Sequence, residues 1–195
     1  IMLKNHVSFV PKKGSGVQLF CRAFFGTVGL VCNFYAIDRL VLADANMLNK
    51  LSPFFAIVFS VFLLKEKPTI VQILGVLTAF LGSVLIIKPT GGSYASFPAL
   101  IGALGGFGAG VAYTFVRALG KKGENSYVII FFFSAFSCLV CLPFMIMNPT
   151  AMSLKSFLFL MCAGICACIG QFGITRAYIY APAKEISVYD YTQVL

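Results

Sequence analysis

Charge is scarce in this sequence. Only 11% of its 195 residues are charged, six of them acidic, and the single histidine is His6. Soluble domains usually carry about 25% charged and 45–50% apolar residues. Here 59% are apolar and the mean hydropathy is +0.94, which argues against a water-soluble globule. A disordered chain is excluded as well, because disorder needs low hydrophobicity and high charge. The shortage of histidine and carboxylates leaves little for acid–base or metal chemistry, so a membrane-embedded enzyme would lack its nucleophile, base or metal cluster. No GxxxxGK[ST] loop occurs, so ATP is not an energy source within this chain. No signal peptide is expected either, since Ile1 opens neither a basic n-region nor a small-residue cleavage site.

Partners for metal ligands are missing too. The seven cysteines are Cys21, Cys32, Cys138, Cys141, Cys162, Cys166 and Cys168, all inside apolar stretches. Cys138–Cys141 has CxxC spacing, but a zinc site needs further ligands of the same kind. The expectation is small apolar side chains packing between helices, with no metal, no cofactor and no disulfide framework. The net charge of +9 is spread singly or in pairs between apolar stretches, not gathered in a stripe. That speaks against nucleic acid and for the loops of a membrane protein.

What is present is apolar length. Six stretches can cross a bilayer: Val17–Ile37, Ala43–Leu64, Thr69–Ile87, Phe97–Val116, Tyr127–Met147 and Phe157–Thr175. A seventh starts near Ile186 and stops at Leu195, so the chain is expected to be a fragment. Turn residues separate the spans, among them Lys65-Glu66-Lys67-Pro68 and Gly120-Lys121-Lys122-Gly123. Counting Lys and Arg in alternate loops gives eleven on one side, Arg22 and Arg176 included, and three on the other. The first side is therefore expected to be cytoplasmic, with loops at 1–16, 65–68, 117–126 and 176–185. Gly102, Gly106 and Gly110 form two overlapping GxxxG steps, a face suited to close helix contact.

The sequence also repeats itself weakly. A shift of 141 positions lays Gly29 on Gly170, Ala36 on Ala177 and Asp44 on Glu185. It carries the first span onto the sixth and the second onto the seventh. An odd number of spans separates the equivalents, so the copies should have opposite orientation, a common transporter plan.

On these residues a family likeness emerges. Arg22-Ala23-Phe24-Phe25-Gly26, Phe34-Tyr35-Ala36-Ile37, Leu42-Ala43-Asp44-Ala45-Asn46, Ser52-Pro53-Phe54-Phe55 and Leu64-Lys65-Glu66-Lys67, in that order, resemble the EamA family of the drug/metabolite transporter superfamily. Gln72-Ile73-Leu74-Gly75 fits the helix closing its first repeat, and Ala177–Ala183 with Tyr189–Gln193 looks like the matching stretch of the second. The resemblance implies an all-α, polytopic transmembrane helical bundle built from two inverted five-helix repeats. Residues 1–90 would be the C-terminal part of the first, a loop plus three helices. Residues 97–195 would be the N-terminal part of the second, three helices and the start of a fourth. The first, second and tenth helices would lie outside the chain. It further implies a multi-pass protein of a bacterial plasma membrane.

Polar residues at membrane depth mark function, because a charge there costs roughly 2.5–3.5 kcal/mol to insert. Asn46, Asn49, Lys50 and Pro53 have the i, i+3, i+4, i+7 spacing of one helical face. Pro53 would leave a backbone carbonyl free. Lys50 either lines a substrate cavity, attracting an anionic group such as a carboxylate, or snorkels to the interface. Asp190, equivalent to Asn49 under the repeat, either relays protons and binds a cationic group or sits among lipid headgroups. Gln171, Tyr113, Asn33 and Tyr35 are further candidates, with interhelical glue and the interfacial aromatic belt as the competing roles. Arg22 and Arg176 are read as anchors of the basic ends, and Ile129–Phe133 as lipid-facing bulk. The expected function is transport of a small organic metabolite or drug-like compound by alternating access, driven by exchange or an ion gradient. The rivals are a membrane-embedded enzyme and a non-transporting scaffold.

Overall fold

A computed structural model describes residues 11–87, 97–147, 149 and 152–189, and among them every regular element is helical. In chain order these are α1 Gly16–Arg39, α2 Leu42–Asn49, α3 Ser52–Leu64, α4 Ile70–Ile87, α5 Phe97–Lys121, α6 Ser126–Met147, α7 Leu154–Tyr180 and α8 Ala183–Tyr189. Helices lie at all six expected full spans, and the seventh expected span falls largely outside the described residues. Five stretches are long and apolar enough to cross a membrane: α1, α2 with α3 (Leu42–Leu64), α5, α6 and α7. The 18 residues of α4 rise about 27 Å and occupy the expected third span.

The second span is not one helix. α2 ends at Asn49, the Lys50 amide folds back on the Asn46 and Met47 carbonyls, and Leu51 bonds to Leu48 (3.1 Å) in a tightened turn. Pro53 explains the restart. It sits in the first turn of α3, where its missing N–H costs nothing and its fixed φ suits a helix start. The single face expected for Asn46, Asn49, Lys50 and Pro53 is therefore broken between Asn49 and Ser52. α3 ends on Lys65, whose φ of 54° is left-handed, while the Glu66 amide reaches back to Ser60 O.

α5 is the central helix, touching α1, α2, α3, α6, α7 and α8. Its glycines make that possible. Gly102, Gly106 and Gly110 face α2 and α3: a Cβ on Gly106 would fall 2.7 Å from Leu48 O, and one on Gly110 would fall 2.7 Å from Ser52 O. A second set faces α1, where Gly29 lies against Gly105 and Gly108 so closely that added Cβ atoms would meet backbone at 2.9–3.2 Å. In a membrane, packing at such approach replaces the missing hydrophobic drive. Hydrogen bonds add to it, Thr114 Oγ1 donating to Gly110 O and to Ala56 O, and Thr27 pairing with Ser137 at 2.7 Å.

The basic loops gather at one end. The Lys12 amide donates to Glu124, Lys122 to Gly14 O, Lys121 pairs with Glu66 at 2.7 Å, and Lys184 donates to Lys67 O. α1 begins at this end and α7 finishes there, with Arg117 Nη1 on Ile179 O at 2.7 Å. The two helices thus run in opposite directions. Their C-terminal turns match residue for residue under the 141-residue shift. Leu40 and Ala181 are both extended and bond to Ala36 O and Ala177 O. Val41 O then receives the amides of Asp44 and Ala45, as Pro182 O receives those of Glu185 and Ile186.

Two expectations about packing are corrected. Ile129 and Ile130 are buried and Phe132 packs against the core, so Ile129–Phe133 is not lipid-facing bulk. Only Phe131 of that run is exposed, because consecutive residues point to all sides of a helix. The cysteines do not pack between described helices as a group. Cys21 and Cys32 are half-buried, whereas the five on α6 and α7 are exposed. Cys141 lines an outer groove together with α1 residues Thr27, Val28 and Val31, while α7 packs chiefly through Gln171–Tyr180.

Candidate functional site

A polar cavity of about 140 Å³ lies inside the bundle. α1 lines it with Arg22, Gly26, Gly29, Leu30 and Asn33, a stretch centred on the middle of that 24-residue helix. α2 contributes Asn49 from its broken end, α5 contributes Ala109, Ala112 and Tyr113, α6 contributes Phe133 and α7 contributes Gln171. The cavity therefore sits near the middle of α1's length and collects side chains from α1, α2, α5, α6 and α7. Two larger grooves, near Phe62 and near Phe144, are lined almost wholly by apolar side chains on the outside of the bundle.

Of the residues singled out in the sequence, Asn49, Tyr113, Gln171 and Asn33 meet here. Asn46 is exposed, Lys50 is half-buried at the α2–α3 break, and Pro53 is buried in α3; none of the three lines the cavity. Tyr35 lies at the opposite end from the basic loops, under the Arg39 guanidinium (5.3 Å). Asp190 and His6 lie outside the described residues. Tyr113 stacks on Tyr178 with centroids 4.7 Å apart and rings 7° from parallel, tying α5 to α7. Gln171 Nε2 donates to Thr175 at 3.3 Å, which orients its amide.

The residue that the sequence reading misplaced is Arg22. It is not an anchor at the basic end. Its exposure is 3%, and its guanidinium lies 4.2 Å from the centroid of the Phe133 ring. A snorkelling arginine would reach back toward α1's start, about 9 Å away. Arg22 instead extends inward along α1 and crosses Gly26, where a Cβ would collide with its Nη1 and with Phe133. The signal was in the sequence: a glycine one turn beyond an arginine leaves a channel for the longer side chain. Arg176, by contrast, is exposed at the basic end and donates to the Tyr127 hydroxyl.

With this geometry in place, similarity to known proteins points to a family. Residues 1–88 match the EamA-like transporter family. A pseudopaline exporter of Pseudomonas aeruginosa is 35% identical over 180 residues, covering 91% of this chain and 63% of its own length. By these matches the chain is similar to EamA-like transporters. An uncharacterized transporter of Helicobacter pylori is 27% identical over 190 residues, covering 94% of this chain and 64% of that protein. Mouse solute carrier family 35 member G1 is 31% identical over 88 residues, 45% of this chain and 24% of the carrier. The chain thus spans just under two thirds of the bacterial relatives. A crystal structure that is 19% identical shares the fold, with a TM-score of 0.75 over 99% of this chain and 68% of its own. Together with the five apolar spans, these findings make the chain part of a multi-pass membrane protein.

Proposed function

We propose that the protein containing this chain transports a small organic metabolite across the plasma membrane by alternating access, without acting as an enzyme. The observation that carries the reading is the polar cavity lined from α1, the broken end of α2, α5, α6 and α7, with matching turns after the antiparallel α1 and α7. Transporter sites recur at such positions, near the midplane between inverted repeats. In this reading residues 1–90 and 97–195 are parts of the two repeats. Asn49, Tyr113 and Gln171 touch the cargo together with Arg22. Asn46, Lys50 and Pro53 act around the α2–α3 break, and Asp190 lies on the equivalent segment of the second repeat. The basic end faces the cytoplasm of a bacterial cell, supported by the Lys and Arg bias and by the Pseudomonas and Helicobacter relatives. Exchange or an ion gradient supplies the energy.

The test is reconstitution of the full-length protein in liposomes, with uptake measured across a broad metabolite panel. Saturable counterflow of at least one compound, reduced in Gln171→Ala, is expected. A folded protein that moves nothing in either direction would overturn the reading.

A further inference from the structure

Arg22 brings a charge to a place where charge is expensive, and the described residues do not neutralise it. Its Nε is buried without a hydrogen-bond partner. Among the described residues it forms no ion pair: Glu66 is held by Arg117 and Lys121, and Asp38 by Arg39, while Asp44 lies in the first turn of α2 and Glu185 in that of α8. Glu124 lies at the basic end, accepting from the Lys12 amide. The Phe133 face offsets part of the cost, since a cation over an aromatic ring contributes about 0.5–2 kcal/mol. That is less than the several kcal/mol an uncompensated buried ion costs. A guanidinium kept in this state is completed by an anion that enters the cavity.

The cavity also bears on which anion. Arg22 is the one charged residue among those that line it, so a single negative charge balances it. A dianion would leave a charge unpaired in a low-dielectric site. The remaining polar lining is neutral: the amides of Asn33, Asn49 and Gln171 and the phenol of Tyr113. Such groups suit uncharged polar substituents beside the anion. The volume is about 140 Å³, against roughly 300–1,000 Å³ for pockets that take drug-sized ligands, so it fits a head group. Planar guanidinium and planar carboxylate match in a two-point hydrogen bond.

We propose that Arg22 is the recognition group for a carboxylate on the cargo, which makes organic monocarboxylates the substrate class of this cavity. The inference deepens the transport reading and rests on it for the word cargo. Gly26 serves it by leaving the guanidinium its path, and Phe133 by supporting the ring-facing side.

The experiment uses the full-length protein in detergent and a panel of N-acetyl amino acids and short hydroxy acids, each paired with its primary amide, with inorganic phosphate as a separate arm. Thermal stabilisation should follow the carboxylates and not the amides. Arg22→Gln should weaken the best carboxylate at least about tenfold, while Arg22→Lys should restore part of the loss. Equal binding of acids and amides, or full binding by Arg22→Gln, would overturn the proposal. So would stabilisation by phosphate in place of carboxylates. If Arg22→Gln is unstable and Asp190→Asn rescues it, Arg22 serves an internal ion pair and the proposal fails. If Arg22→Gln does not fold, phenylglyoxal labelling of the wild type decides: carboxylates must protect Arg22, and unprotected labelling overturns the idea. Carboxylate binding without flux would defeat the transport reading alone. Flux of neutral compounds untouched by Arg22→Gln would defeat this proposal alone.

Discussion

Arg22 shows how a residue's role depends on the direction its side chain takes. In the sequence it stands about one and a half turns inside a span, where a snorkelling anchor is the ordinary reading. Nothing in its own identity separates the two roles. Gly26 does, because the absent Cβ is what lets the guanidinium run toward the bundle centre and lie over Phe133. Asn49, Tyr113 and Gln171 were legible as polar exceptions in apolar spans, and they do meet. Lys50 was legible on the same ground, yet it sits at the helix break, because spacing arguments assume a continuous helix. From this contact we predict that Gly26→Ala, a change of one methyl, moves Arg22 and Phe133 together. Stability of the full-length protein should fall by roughly 1–3 kcal/mol, the usual cost of overpacking. Ligand-induced thermal stabilisation should fall more than the apo melting temperature alone would account for. Unchanged binding would mean the guanidinium has another route.

At the level of elements, apolar length predicted the five membrane-crossing stretches to within about five residues, since only helices satisfy the backbone in lipid. The pairing of elements was less legible. Overlapping GxxxG steps announced that α5 packs closely, but not that its two glycine sets serve different neighbours. Gly106 and Gly110 receive the backbone of the α2–α3 break and α3, while Gly105 and Gly108 receive α1. Residue identity alone does not say which helix arrives, because glycine is permissive on every side. The consequence is a sharp contrast along one helix. Gly110→Ala would place its methyl 2.7 Å from Ser52 O and 2.9 Å from Ala56 N, both backbone atoms that cannot swing aside. We expect a loss of at least about 1–3 kcal/mol, read as lower unfolding temperature and lower yield of monodisperse protein. Leu104→Ala, on the exposed face of α5, should change stability by no more than about 0.5 kcal/mol. Equal effects of the two would remove the glycine contacts from the account of this interface.

For the whole molecule, the chain's ends of charge define its sides. An impermeant thiol reagent applied to intact cells, in an otherwise cysteine-free background, should label Asp38→Cys but reach Lys67→Cys and Gly123→Cys only after permeabilisation. The reverse pattern would invert the orientation without touching the fold. The basic end also holds a contact that ties the segment after α3 to α5 and α7. Glu66 follows α3 and accepts from Arg117 Nε at 3.2 Å and from Lys121 at 2.7 Å, while Arg117 also donates to Ile179 O near the end of α7. Glu66 and Arg117 are only 12% and 15% exposed, so solvent screening weakens the pair less than it would a surface bridge. Hydrogen bonds to charged groups contribute about 1.5–3 kcal/mol each. An alternating-access protein differs between its two states by energies of that size. On the proposed alternating-access reading, this cluster is the contact that keeps the basic end closed. Glu66→Gln keeps the shape and removes the charge, so it should shift the population toward the state open at the basic end by about tenfold or more. Thiol labelling of Asn33→Cys or Gln171→Cys from that side should accelerate by a similar factor. An unchanged labelling rate in a folded Glu66→Gln protein would place the gate elsewhere in the bundle.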